Sequence, residues 1–558
     1  MKRFILILVL FCSSIVYGQY SNLWIDYSQT YYKIPVTSEG VYRVTYADLI
    51  ANGISVGDFD HRNLQIIHDG KVLPLFVSAQ ADGIFRATDY FEFYAESGNT
   101  GWLDAQVYSS GVPFNPQYSL YNDTAAYFLT FANTLTSPRY DTVRSMNFSQ
   151  YTPQPYCLRK VRSNYTSTFN ATNSSSYILP SEGWTDAFFD MGESVSKGVI
   201  TTNYAEVGVA SEISFGLGGF SQTEHDVIVT LSADESFRWD TNYYDYDAIH
   251  KTIRTTKPLA AVTTLKFQSL ADDKAADKNT VSYVQILYPA TFNCNNQPRF
   301  MFELPEIAQG DSILLQFENF NAGSSVPILY CPEIQKRILT SEQDGKFVAL
   351  VPNCHKQLHC VLISQQVFSK IIGIQSVASK NSSESKFYDF SLPEHQGDYI
   401  IITNKKLWNQ ASLYKQYRQS TGQKVVLVDI DELYDQFAYG IRSHPYAISS
   451  FIAYALRNWS ILPEHVFLIG KGFHVSDFRN NSSLYGRLML PTMGNPASDL
   501  LFTMSTRATS IRTNIAIGRL SAETPKEVEI YCQPGRIRAS VHISERGILS
   551  TGKMELNR

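Results

Sequence analysis

Residues 399–430 read YIIITNKKLWNQASLYKQYRQSTGQKVVLVDI, and their grammar decides the fold of the C-terminal part of the chain. Tyr399–Thr403 is an unbroken apolar run without alternation, as expected of a strand covered on both faces. Lys405 to Ser420 reads as a helix, and Gly422 as its stop. Lys424 to Ile430 is a second buried strand, followed by a short helix around Glu432 to Phe437. A longer helix is expected from Pro445, a good first-turn residue, to Trp459. Its Ile448, Phe451, Ile452, Ala455, Leu456 and Trp459 recur at i, i+3, i+4, i+7, i+8 and i+11, one face of a helix lying on a sheet. Val466–Ile469 and Ile515–Ile517 supply two more strands. Strand–helix alternation of this kind implies a mostly parallel, doubly wound α/β domain.

Upstream the grammar is different. From Gln19 to Glu394 short aromatic or β-branched runs are separated by polar and Gly-containing turns. They include Tyr31–Val36, Val41–Val44, Leu64–Ile67, Tyr90–Tyr94 and Ala126–Phe131, then Val227–Leu231, Thr280–Leu287, Phe300–Leu304 and Ile313–Phe317. Convincing amphipathic helices are absent, so the expectation is a large all-β region of sandwiches or barrels. The Ser/Thr/Asn-rich patch Ser163–Ser176 reads as an exposed loop between sub-blocks. The organisation predicted is therefore a leader over 1–18, a first β region over 19–160, further β structure over 161–395 and the α/β domain over 396–558. No repeat of fixed period is present.

Composition narrows the class without naming a function. Across 558 residues, Lys+Arg 47 against Asp+Glu 52 gives a net charge of −5. That lacks the basic surplus of a nucleic-acid binder. A hydrophobic share of 44% against 18% charged excludes disorder. The 35 Tyr and 33 Phe against 8 Met favour strands over a helical bundle.

The first residues set the compartment. Lys2 and Arg3 precede the apolar run Phe4–Val16, and Gly18 ends a cleavage-site pattern, so a secretory signal peptide is expected, with the mature chain starting near Gln19. A lipid anchor at Cys12 is the rival, disfavoured by the bulk of Phe11. Export permits disulfides, but Cys157, Cys294, Cys331, Cys354, Cys360 and Cys532 are too sparse for a disulfide framework. Cys354-His355 and His359-Cys360 sit at a turn between the strands around Phe347–Leu350 and Val361–Ile363. A metal site would need four converging ligands; a disulfide or a plain hairpin is the favoured reading, and no metal or cofactor is expected.

Several linked blocks carry a family resemblance. YIIIT (Tyr399–Thr403), GQKVVLV (Gly422–Val428), LYDQFAYG (Leu433–Gly440), HVFLIG (His465–Gly470) and IAIGRL (Ile515–Leu520) resemble the gingipain-type cysteine peptidases, whose domain is a caspase-like α/β fold. The β blocks YYKIPVTSEGVYRVTYADL (Tyr31–Leu49), NLQIIHDGKVLP (Asn63–Pro74) and DYFEFYAESG (Asp89–Gly98), with the YFLTF run ending at Phe131, are similar to the type IX secretion sortases of the Bacteroidetes within that family. The resemblance implies a surface enzyme of the outer membrane. Its partners would be the C-terminal sorting domains of cargo proteins, other outer-membrane secretion subunits and an anionic lipopolysaccharide, with no nucleic acid. Its chemistry would be thiolate attack on a peptide carbonyl with His as proton carrier, the acyl-enzyme being resolved by water or by an amine.

The family dyad, a His-Gly motif followed by a Cys on the next strand, is not found. None of the 11 His is followed by Gly. After Leu520 only Cys532 and His542 remain, in reversed order, so no catalytic residue is assigned. The Pro534-Gly535 break and the Arg-rich stretch Arg536–Arg558 suggest a frameshift or truncation near Cys532, with a natural short basic tail as the alternative. An incomplete sheet would expose a strand edge. Two further positions bear on the site. Gly470-Lys471-Gly472 stands where the family has Gly-Asp-Gly, at a strand end where ligands sit; a tolerated tight turn is the blander reading. Asp499 matches an acidic family position, with a capping or turn role favoured over catalysis. No Gly-x-Ser-x-Gly elbow supports serine hydrolysis. The non-enzymatic alternative is a β-rich surface or secretion-accessory binding protein.

Overall fold

The computed structural model describes residues 22–532 apart from 58–59, 97, 133–136, 173–177, 232–233, 271–276, 383–384, 480 and 505–514. The expected leader with Cys12, the residues from 533 onward and His542 lie outside the described residues.

The N-terminal β region opens with a five-stranded sheet in the order Gln375–Ser376, Tyr31–Val36, Ala125–Phe131, Leu64–His68 and Lys71–Leu73, antiparallel throughout. A three-stranded sheet of Gly40–Thr45, Tyr90–Ala95 and Leu75–Val77 packs against it. Ile34, Leu64, Ile66, Phe91, Phe93 and Leu129 fill the space between them. Each of these apolar positions falls on the inward side of a period-two strand.

A second β body is a sandwich. One layer is a nine-stranded sheet; the other combines a four-stranded and a three-stranded sheet. Phe215, Ile286, Phe302 and Leu362 of the large sheet meet Val229 and Phe267 of one partner and Leu315 and Val351 of the other. All nine strands expected upstream are present. The boundary expected at residue 160 falls inside the strand Cys157–Asn164, which lies near the middle of the large sheet. The same sheet also takes Asp141–Val143 as a parallel partner of Lys336–Leu339. Pairing between strands distant in sequence erases a division that local composition suggested. The expected loop over Ser163–Ser176 likewise contains the end of that strand and Thr168–Asn170, which pairs with Gly183–Thr185.

The Cys-His cluster separates for the same period-two reason. His359 and Cys360 are consecutive residues of the strand Leu358–Ile363 and so point to opposite faces. Cys360 turns into the core, with its Sγ 3.5 Å from that of Cys331. His355 instead meets the Ile307 carbonyl at 3.0 Å. Among the described residues no group of His, Cys, Asp and Glu is arranged to hold a metal ion.

His359 does other work. Its Nδ1 lies 2.9 Å from Glu303 and its Nε2 3.2 Å from Glu39, while Tyr94 Oη, 2.8 Å from Nε2, donates to Glu39 at 2.5 Å. This clasp ties the N-terminal sheets to the sandwich. Burial alone would lower the imidazole; the carboxylates of Glu303 and Glu39 overcome it and push His359 up to about 9. A pKa raised on folding stabilises fully below the unfolded value of about 6.5 and is lost as pH rises through the folded one. We expect about 2–3 kcal/mol of stability to disappear between pH 6.5 and about 9.5. The His359→Gln variant, followed by urea denaturation across that range, should lose this dependence.

The α/β unit is read from its own first strand. Strand β1 is Tyr399–Thr403, helix α1 Trp408–Ser420, β2 Val425–Asp429, α2 Ile430–Phe437, α3 Tyr446–Asn458, β3 His465–Ile469, β4 Ala516–Leu520 and α4 Pro525–Tyr531. The sheet order is β2-β1-β3-β4, every pair parallel. Alternate residues of one strand serve opposite layers. Ile400 and Ile402 face α2 and α3, where Phe437, Phe451 and Ala455 pack, whereas Ile401 faces α1 and α4 with Ala411 and Val528. Gly422, at φ +96°, ends α1 as the sequence predicts. None of the described helices is long and apolar enough to cross a membrane.

The α2–α3 face docks on the β region. Lys33 pairs with Asp435 at 2.5 Å, Tyr27 donates to Gln436 at 3.0 Å, and buried His444 meets buried Asp104 at 3.0 Å. Gly440, at φ +80°, presses its Cα against the first sheet: a Cβ there would lie 2.3 Å from that of Ala126.

Candidate functional site

In an open parallel sheet the loops beyond the strand C-termini form the site, because the adjacent connections diverge there. Here those ends are Thr403, Asp429, Ile469 and Leu520. Thr403 Oγ1 donates to the Ile469 carbonyl at 2.8 Å, locking β1 to β3 at its last residue. Asp429 caps α2 through the Asp431 amide at 3.2 Å and also accepts the Lys380 amide at 3.0 Å. Burial, with Asp431 close by, pushes Asp429 up to about 6.

Beyond β3 the chain turns through Gly470-Lys471-Gly472. The tight turn is steric: a Cβ on Gly470 would meet Met489 and Leu490 at 2.8 and 2.9 Å, and one on Gly472 would meet Thr492 at 2.3 Å. Lys471 gives its backbone to the Ala522 carbonyl and turns its ammonium to Glu523 at 2.5 Å. Glu523 is also held by Arg487 at 2.8 Å, and these two cations keep its carboxyl at about 2. The Lys471 charge thus belongs to a solvent-facing ion cluster.

Asp499 is paired with Arg519 of β4. Arg519 Nε lies 3.0 Å from each carboxylate oxygen and Nη2 2.7 Å from one of them. The same guanidinium donates to the carbonyls of Gly470 at 3.0 Å and Pro491 at 2.8 Å. Arg519 therefore staples the β3 turn, the following loop and the short 3-10 turn Asp499–Thr503 together, and Asp499 fixes its orientation. Asp499 was legible as an acidic position; Arg519 was not singled out. A basic side chain within a strand of a buried sheet was the signal that could have found it.

Cys532 closes α4 rather than lining the strand ends. It is half-buried against the apolar layer containing Tyr414 and Phe467, and burial raises its thiol above the ordinary value. A protonated thiol in apolar surroundings is a poor nucleophile. Nucleophile–base–acid residue types also meet elsewhere, and one such set lies in the second β body. Buried His225 lies 2.5 Å from Asp277 through Nδ1, and Ser269 donates to the same carboxylate. Its Nε2 faces the Asp245 carbonyl at 2.9 Å, so neither ring nitrogen is left to take a proton from a nucleophile. This set pins two strands together. A cavity of about 690 Å³ lies among the β sheets, walled by Glu39, Glu303, His359 and Arg162, with Ile441 as its contact from the α/β unit.

Comparison with known proteins places this geometry. The model of Peptidase family C25 matches residues 392–533. No curated protein matches the chain. Among solved structures, dimeric latent PorU from Porphyromonas gingivalis superposes with a TM-score of 0.59 at 14% identity, covering 94% of this chain and 51% of that one. The chain thus spans about half the length of the PorU chain it matches. Smaller overlaps occur with the carbohydrate-binding module CBM36 in complex with calcium and xylotriose (TM-score 0.16, 14% identity, 23% of this chain and 98% of that one). CBM35 from Cellvibrio japonicus Abf62 gives 0.14, 7%, 24% and 85%. Residues 392–533 thus match the peptidase family C25 model, and the four parallel strands with their flanking helices, together with the β bodies before them, have a fold like that of PorU.

Proposed function

We propose that the protein acts in type IX secretion as a sortase-type cysteine peptidase, removing C-terminal sorting domains from exported cargo. In this reading it sits at the outer-membrane surface with other secretion subunits and aids joining of the new carboxyl end to an anionic lipopolysaccharide. The observation that supports it is the coincidence of a family C25 stretch with a PorU-like arrangement over 94% of the chain. Deleting the gene from its host should leave cargo carrying intact sorting domains, read by mass spectrometry of the surface fraction. Normal processing in the deletion strain would refute the role.

A second reading, a non-catalytic binding subunit of the same surface, is favoured by the state of the cysteines. Cys157, Cys294, Cys331 and Cys360 are buried, and Cys532 is held protonated by its apolar surroundings. Iodoacetamide labelling of the purified 558-residue chain separates the two. We expect alkylation no faster than that of an ordinary exposed thiol, no cleavage of a sorting-domain peptide, and the same result after Cys532→Ser. Rapid labelling, or thiol-dependent cleavage that survives Cys532→Ser, would establish a catalytic thiol in this chain.

A further inference from the structure

Strand β2 lies at one edge of the parallel sheet, with β1 as its only strand neighbour among the described residues. In a parallel pair the amide and carbonyl of one residue point to the same side, and successive residues alternate sides. Asn381 shows which residues of β2 face outward. Its side-chain amide donates to the Leu427 carbonyl at 2.7 Å and accepts from the Asp429 amide at 2.6 Å, much as an added strand would. By parity, Val425 also presents its N–H and C=O outward, and Leu427 its N–H. No described residue hydrogen-bonds to those three groups.

They open on a groove of about 440 Å³. On one side stand Trp408, Lys415 and Gln419 from α1; on the other, Tyr388 and His395 stack at 3.9 Å. Lys380 and Lys415 face the groove against a single carboxylate, Glu394. Burial lowers the Lys415 amine below its ordinary value.

We propose that β2 is a docking edge for an extended peptide of alternating apolar and acidic residues. The peptide would take the Val425 and Leu427 backbone groups as ladder partners. Its acidic side chains would reach Lys415, and its apolar ones would lie over the Tyr388–His395 stack. Asn381 closes the groove at the strand's C-terminal end, which sets the length of the paired segment.

The test uses the full chain and a fluorescent, end-blocked heptapeptide of alternating valine and glutamate, with the valine–lysine counterpart as control. The glutamate peptide should bind in an anisotropy titration and slow deuterium uptake over residues 424–428. Val425→Pro removes an outward N–H that the sheet does not use, and proline is tolerated at such edge positions. It should keep the circular dichroism of the parent and weaken binding at least about tenfold, a change of about 1.4 kcal/mol. Lys415→Glu should reverse the preference toward the lysine peptide, and it tests the proposal even where Val425→Pro does not fold. Absence of binding at millimolar peptide, binding indifferent to both substitutions, or self-association of the parent chain that Val425→Pro abolishes would overturn the proposal, the last by assigning the edge to a second copy.

Discussion

Replacing Glu92 by Gln should cost about 3–5 kcal/mol of stability, enough to unfold the β region of many proteins at physiological temperature. Glu92 is fully buried in the strand Tyr90–Ala95. It accepts from Arg43 Nε at 2.9 Å and Nη2 at 2.5 Å, from Arg337 Nε at 3.1 Å and from Tyr330 Oη. Two guanidiniums from different sheets thus converge on one carboxylate. Arg43 is further sandwiched between the rings of Tyr90 and Phe368, and Arg337 lies over Phe76. The amide is nearly isosteric, so packing is kept while the charge that offsets two desolvated cations is removed. The penalty is then electrostatic. It should fall when Arg337→Met is added, because one orphaned cation disappears with it. Urea denaturation of the single and double variants measures both numbers, and an E92Q loss below about 1 kcal/mol would refute the account.

The second large effect is expected at Gly440. A β-branched side chain there has to adopt φ near +80°, a conformation costing about 1–3 kcal/mol outside glycine. It also has to find room where a Cβ would overlap Ala126 and press on Phe128 at 3.0 Å. Overpacking of this kind adds about 1–3 kcal/mol. Gly440→Val should therefore destabilise by about 2–6 kcal/mol, and the strain acts at the contact between the α/β unit and the first sheet. Limited proteolysis should show cleavage around residues 438–446 in the variant under conditions where the parent resists. The substitution should also expose the Lys33–Asp435 pair to solvent exchange, since both contacts belong to the same face. An unchanged melting transition would mean that the two units are not clamped together here.

The strands were legible from local pattern because their inward side chains alternate or run unbroken, as in Tyr31–Val36 and Tyr399–Thr403, where the expected and observed bounds coincide. Helix α3 was legible because Ile448, Phe451, Ile452 and Ala455 must share one face to cover the sheet. The sheet partners were not legible. Nothing local in Asp141–Val143 announces a parallel bond to Lys336–Leu339, and the large sheet consequently crosses the boundary expected at residue 160. At the site, the strand ends and the glycine turn could be read, as could Asp499, whereas its partner Arg519 sits twenty residues away in sequence and is joined to it only by the fold. The Lys471 substitution looked like a charge reversal at a ligand position. The structure gives it a local counter-ion, Glu523, which no spacing rule would have paired with it.

The wiring of the β region has a kinetic side. Tyr31–Val36 emerges first, yet one of its two neighbours in the sheet, Gln375–Ser376, is made only after the whole sandwich has been synthesised. Asp141–Val143 waits in the same way for Lys336–Leu339. Contacts closing loops of this length are formed late, because the chain must surrender the entropy of the intervening segment before the pairing rewards it. A polypeptide built on this plan stays incompletely assembled until most of its length is present, and its early strands carry unfilled edges in the meantime. Slow closure of this kind leaves the polymer threadable for longer than a fold paired only between neighbouring strands would.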